Sequence, residues 1–155
     1  MREITHIIIH ESDTPTGRTT TVEDIDSWHV ERGFQRTEAA RLAFNPTLHA
    51  IGYHWVIYID GSVHSGRNIS EVGAHCSGWN SKSVGICLAG KGVYNQLQWD
   101  ALESLVKLLR ITYEGTVIKG HYETSSGSSQ GKTCPDFNVQ EWVANSFVPQ
   151  PQNIA

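Results

Sequence analysis

Ile4-Thr5-His6-Ile7-Ile8-Ile9-His10-Glu11-Ser12-Asp13-Thr14-Pro15 is the stretch on which the reading of the fold turns. From Ile4 to Ile9 it is short and β-branched, and Glu11-Ser12-Asp13 with Pro15 bounds it, so it reads as a buried strand running into a loop. His10 therefore stands at the C-terminal end of a strand. Downstream, Thr20 followed three residues later by Glu23 is a capping-box pattern, and Val22, Ile25, His29 and Arg32 mark one face of a helix from Thr21 to Arg32 that Gly33 stops. Between Gln35 and Ala50 a short helix through Ala39 and Ala40 breaks at Asn45-Pro46, which predicts a mobile, lid-like connection.

Tyr53 to Ile59 alternates Tyr53, Trp55, Ile57 and Ile59 against His54, Val56 and Tyr58, and Asp60-Gly61 supplies turn chemistry, the clearest hairpin in the chain. Val84 to Ala89 is a further apolar strand, reached through a Gly-rich polar loop from Gly73 to Ser83. Asn95 caps the next helix with Gln98 at its third position, and Leu97, Ala101, Leu105, Leu108 and Leu109 are expected to face the core. Gly115 closes that helix a little beyond Arg110, and Val117 to Lys119 forms a brief strand that delivers His121. Ser125 to Gly131 reads as a flexible Ser/Gly loop, and a last helix from Val139 to Phe147 is capped by Asn138 with Glu141 at its third position. Strands interleaved with helices, one hairpin among them, predict an α/β fold with a central mixed sheet flanked by helices. Residues 1–148 are read as one domain and 149–155, with Pro149-Gln150-Pro151, as a frayed C-terminal tail.

Composition excludes several functions. The chain has 155 residues, the common size of one domain, and its apolar fraction with Gly counted and Tyr set aside is about 45%, ordinary for a globular protein. No apolar run approaches the roughly 18 residues of a spanning helix. The net charge of -4 provides no global positive field for nucleic acid. The first residues lack a signal-peptide pattern, and Cys76, Cys87 and Cys134, three in number without CxxC spacing, point to a reducing compartment at synthesis.

A catalytic zinc ion needs three protein ligands and one open position, and His nitrogens with a Cys thiolate are suitable donors. His10, His121 and Cys134 meet that description, two of them following predicted strands. Packed or exposed histidines and a buried cysteine are the competing reading of the same residues. A cysteine nucleophile at Cys134 with His121 as base is another, though no orienting Asn or Asp is evident.

Ile7-Ile8-Ile9-His10, Gly52-Tyr53-His54-Trp55, Asp60-Gly61, Gly66-Arg67, Gly73-Ala74-His75, Ser83-Val84-Gly85-Ile86, Gly120-His121 and Lys132-Thr133-Cys134-Pro135 occur in that order. Together they resemble the zinc-dependent N-acetylmuramoyl-L-alanine amidases of the bacteriophage T7 lysozyme type, relatives of the peptidoglycan-recognition proteins, over Ile4 to Trp142. The resemblance implies one Zn²⁺ ion on His10, His121 and Cys134, with Tyr53 and Lys132 as the two catalytic side chains. It implies a phage or prophage endolysin that hydrolyses the bond between N-acetylmuramic acid and L-alanine of peptidoglycan with zinc-activated water. Such an enzyme accumulates in the host cytoplasm, acts in the periplasm after release, and works as a monomer without inserting into the membrane.

A thiolate and two neutral imidazoles leave such a site one net positive charge, enough to polarise a carbonyl and lower the pKa of water toward about 7. Lys132, two residues from Cys134, is placed to stabilise the oxyanion, and Tyr53, protonated at neutral pH, to orient water or the tetrahedral intermediate. By the same resemblance His75 and Asn80 lie in the substrate-facing loop, where Trp79 stacks on a sugar or else covers the core. Cys87 falls where some related amidases carry a catalytic glutamate, and reads as a small buried residue. The Gln35–Ala50 and Ser125–Gly131 segments look expanded relative to the T7-type enzyme, which would reshape substrate access. A non-catalytic peptidoglycan-binding module is the rival reading. An amidase that also inhibits a phage RNA polymerase, as the T7-type enzyme does, is a third reading, which no motif in this chain supports.

Overall fold

The computed structural model describes residues 1–155. Five strands form one mixed sheet: β1 (His6–Glu11), β2 (Trp55–Ile57), β3 (Val63–Ser65), β4 (Ser83–Leu88) and β5 (Val117–Gly120), in the order β3-β2-β4-β1-β5. β1 lies at the centre of the site-bearing half, parallel to β4 with His10 opposite Cys87 and parallel to β5 with Ile9 opposite Gly120. β2 runs parallel to β4 and antiparallel to β3, with Trp55 opposite Ser65, so the expected hairpin is present.

Alternation along β1 sorts its side chains to two faces. Ile7 and Ile9 join Val84, Ile86 and Leu88 of β4 in the larger core, closed by helix α3 (Gln96–Thr112) and helix α5 (Val139–Ala144) through Leu102, Val106, Leu109 and Trp142. On the opposite face Cys87 and Val56 pack with Ile51, Leu48 and the Val22 and Ile25 side chains of helix α1 (Val22–Glu31). His10 points to that second, less crowded side, among Tyr53, His75 and His121.

Several local expectations shift. The capping box of α1 is Thr21 with Asp24, one residue later than Thr20 with Glu23, because Thr20 is buried against Thr14. The core face of α3 is rotated: Leu97 and Leu108 are 58% and 60% exposed, while Gln98, Trp99, Leu102, Leu105, Val106 and Leu109 are buried. Gln98 turns inward because its side chain both completes the cap at Asn95 and donates to the Ala89 carbonyl at 2.8 Å. The last helix stops at Ala144, since Ser146 and Phe147 adopt left-handed φ values of 56° and 63°.

Neither expected mobile segment is loose. Gln35–Ala50 contains helix α2 (Glu38–Ala43) and is tied from within by Arg36, whose guanidinium donates to the carbonyls of Phe44, Asn45 and Leu48 at 2.8–2.9 Å and pairs with Glu71 at 2.9 Å. Asp26 of α1 holds its far end by accepting from the backbone N–H groups of His49, Ala50 and Ile51. Ser125–Ser129 is helix α4, capped by the Thr124 hydroxyl, rather than a flexible loop. A Cβ at Gly127 would lie 1.9 Å from the His121 carbonyl oxygen, so only glycine lets α4 sit this close to His121. The chain end does not fray: Ile154 pairs with Tyr94 in a parallel bridge, and Tyr94 N–H donates to the Asn153 carbonyl at 2.9 Å.

Candidate active site

The C-terminal end of β1 and the first residue after β5 bring His10 and His121 side by side, with ring centroids 4.6 Å apart. Cys134 arrives on the loop between α4 and α5, its Sγ 3.8 Å from His10 Nδ1 and 3.5 Å from His121 Nδ1. The three donor atoms lie within 4.8 Å of one another. They form the floor of an open cleft of about 780 Å³.

The contacts of His10 accommodate a tautomer suited to metal binding. His10 Nε2 meets His75 Nδ1 at 2.8 Å, and His75 Nε2 meets Ser83 Oγ at 3.2 Å. With Nε2 of each ring donating, His10 is left with an unprotonated Nδ1 facing Cys134, the tautomer a metal ligand needs. Burial holds His10 well below the usual imidazole pKa and lowers His121 to about 4, with Lys132 adding to both shifts. Both imidazoles are neutral at pH 7. Burial also pushes the Cys134 thiol up to about 12, so a metal binding here must displace its proton. Two imidazole nitrogens and one sulfur, converging within 4.8 Å on a cleft floor with open space above, fit a zinc ion with a position left for substrate.

The Tyr53 ring lies 5.1 Å from that of His10, and burial raises its phenol well above the usual value, so the hydroxyl stays a donor. Lys132 is exposed and lines the same cleft two residues before Cys134. These five residues converge. His75 is buried beneath the trio as the partner of His10, its ring seated against Gly73 and Gly85, where a Cβ would come within 2.7 Å of it. Asn80 lines the cleft, and its Oδ1 shapes the loop by accepting the N–H groups of His75 and Cys76 at 2.8 and 2.9 Å. Trp79 lies outside the cleft lining, edge-on to His6 at 4.8 Å and donating to Ser125 Oγ. Cys87 is fully buried and burial keeps its thiol protonated, so no carboxylate acts from that position of β4.

Two parts of the site escaped the reading of the sequence. One wall is the C-terminal end of α1, where Trp28, His29, Arg32 and Phe34 line the cleft and the Arg32 guanidinium sits 4.5 Å over the Phe34 ring. Aromatic residues clustered where a helix ends were the available signal. The other part is Glu11, whose carboxyl is buried against Asp136; burial first, then Asp136, raises it to about 9 and keeps it protonated at neutral pH. Its position beside His10 was visible, but the Asp136 contact joins residues 125 positions apart.

A sequence model of the N-acetylmuramoyl-L-alanine amidase family matches residues 1–137, and the chain belongs to that family. Within it, the chain is similar over nearly its whole length to phage endolysins. It is 32% identical to the endolysin of Klebsiella phage KP32 over 149 residues, 91% of this chain and 86% of that one. It is 33% identical to the endolysin of Escherichia phage T7 over 144 residues, 88% and 83% of the two chains. Among solved structures, the N-acetylmuramoyl-L-alanine amidase LysC from Clostridium intestinale URNW superposes with a TM-score of 0.74 at 26% identity, covering 95% of this chain and 87% of that one.

Proposed function

We propose that the chain is a phage-type endolysin that cleaves the amide between N-acetylmuramic acid and L-alanine in peptidoglycan, using a single zinc ion held by His10, His121 and Cys134. Membership in the N-acetylmuramoyl-L-alanine amidase family gives the reaction, and the endolysin relatives give its setting. The observation that carries the site assignment is the convergence of two imidazole nitrogens and a thiol within 4.8 Å on the cleft floor. When bound, zinc supplies Lewis acidity toward the scissile carbonyl and toward water.

The protein's own groups do the rest. Lys132 places its ammonium beside the oxygen that gains negative charge as the carbonyl becomes tetrahedral. Tyr53 keeps its proton and donates a hydrogen bond that orients the attacking water or the tetrahedral oxygen. His75 fixes the His10 ring, and Asn80 fixes the loop that carries His75. The Trp28–Phe34 wall and Asn80, which line the same cleft, receive the muramyl and peptide parts of the substrate, and His75 acts through His10. No helix is long and apolar enough to cross a membrane. The proposed route is synthesis in the host cytoplasm, then action as a monomer on the wall once the membrane is breached.

Mass spectrometry of purified peptidoglycan digested by metal-stripped and zinc-restored protein tests this. Release of intact stem peptides from muramic acid only after zinc is restored is the expected result, and Cys134→Ser with a parental circular dichroism spectrum should lose both zinc and release. Cleaved glycosidic or cross-link bonds would refute the assignment. Binding to sacculi without any release would favour the recognition module.

A further inference from the structure

The loop that carries Cys134 is held from outside by three neighbours acting on three consecutive carbonyls. The Cys134 carbonyl accepts from Tyr122 N–H at 3.2 Å, the Pro135 carbonyl from the Tyr94 hydroxyl at 2.9 Å, and the Asp136 carbonyl from Asn153 Nδ2 at 3.4 Å. Tyr94 is fully buried, and its hydroxyl also accepts Gly92 N–H at 3.1 Å. Asn153 is anchored in turn: its Nδ2 donates to the Gly92 carbonyl at 2.7 Å, and its own carbonyl accepts from Tyr94 N–H at 2.9 Å and Trp99 Nε1 at 3.2 Å. Ala155 N–H closes the strap on the Tyr94 carbonyl at 2.9 Å.

His10 and His121 need no comparable support, because the β1 and β5 ladders fix the backbone that leads into them. Cys134 lies on irregular chain, and its own loop supplies only the Asp136 N–H to Thr133 carbonyl turn at 3.0 Å. Asp136 sits in the left-handed region with φ 59°, a conformation that costs a non-glycine residue energy and must be held by its surroundings. Gly92, where a Cβ would lie 3.0 Å from the Asp136 Cβ, lets the Gly90–Tyr94 loop close down on that residue.

We propose that Tyr94 and Asn153 are positioning residues for the Cys134 sulfur, so that the C-terminal strap is a functional part of the metal centre. The inference rests on the metal assignment above. Residues that orient metal ligands through hydrogen bonds typically change metal affinity by about 10–100-fold when lost. Tyr94→Phe removes one hydroxyl and keeps the ring; Asn153→Ala removes the amide from a half-buried position. Leu109→Ala, in the α3 core and away from the loop, serves as a control for general destabilisation.

Zinc affinity is read by competition with a chromophoric chelator, and the cobalt-loaded forms report sulfur placement through the thiolate-to-cobalt charge-transfer band. In both variants zinc affinity should fall about tenfold or more, the band should weaken or shift, and kcat should fall with KM near the parental value. Leu109→Ala should keep the parental affinity and band while its Tm drops. Parental affinity and band in Asn153→Ala would overturn the proposal, however far its Tm falls, and that variant decides the matter if Tyr94→Phe does not fold. A parent protein that binds neither zinc nor cobalt would refute the metal assignment instead.

Discussion

His75→Phe separates the packing of the buried ring from the hydrogen bond it gives His10. Phenylalanine keeps a planar ring in the slot between Gly73 and Gly85, but it accepts nothing from His10 Nε2–H and donates nothing to Ser83 Oγ. The His10 donor is buried, so leaving it without a partner costs about 1–3 kcal/mol in the folded metal-free protein. Released from that 2.8 Å bond, His10 can rotate or switch tautomer, and the lone pair on Nδ1 is then no longer fixed on the Cys134 side. Loss of such an orienting partner weakens metal binding by about 10–100-fold, or about 1.4–2.8 kcal/mol. Two assays report the two quantities: urea unfolding of the metal-free protein, and zinc competition against a chromophoric chelator. Unchanged zinc affinity in a folded His75→Phe protein would refute the tautomer argument, and an unchanged urea midpoint would refute the claim that the His10 donor has nowhere else to bond.

Lys132→Ala should retain zinc at parental affinity while turnover falls by about 10²–10³, the usual cost of removing one oxyanion donor, and normal turnover would remove the assignment. Arg36→Met should lower the unfolding free energy by about 3–5 kcal/mol in urea, because the carbonyls of Phe44, Asn45 and Leu48 lose their buried donor and Glu71 keeps only Arg67 at 3.6 Å; a loss below about 1 kcal/mol would show that water replaces it. Acid should destabilise the fold through His54, which burial lowers to about 4 while its Nδ1 accepts Gly85 N–H at 3.0 Å and Nε2 donates to the Glu71 carbonyl at 2.8 Å. The unfolded chain, with a histidine pKa near about 6.5, binds that proton first, so the contribution is intact above that pH and declines by about 3 kcal/mol toward pH 4. Urea midpoints of the parent and His54→Gln across that window check it, and identical pH slopes in the two proteins would contradict it.

The sheet and its major helices were legible because strand and helix periodicities are local properties of the chain. The triple isoleucine before His10, the alternation from Tyr53 and the Asn95 cap each report their own backbone conformation. Where two local patterns compete, only packing chooses. Leu105 and Leu109 belong to the predicted and the observed core face of α3 alike, and the inward turn of Gln98 selects the face that buries Trp99 and Leu102 in place of Leu97 and Leu108. The segments expected to move were misread for a related reason. The Asn45-Pro46 break in one and the Ser/Gly composition of the other say that regular structure is interrupted, but not that Arg36, Asp26 or Thr124 will satisfy their backbone groups.

By itself the sequence determined the fold class, the family resemblance, and the residue types able to hold a metal and act beside it, because each rests on local pattern or on motifs in fixed order. Only the tertiary structure decided that His75 meets His10 Nε2 while Nδ1 faces Cys134, that Glu11 is buried beside Asp136, and that the chain end grips the Cys134 loop. Those features depend on hydrogen bonds and desolvation between residues far apart in sequence. No local pattern encodes them, since a contact forms only once the β1, β4 and β5 ladders have brought its partners together.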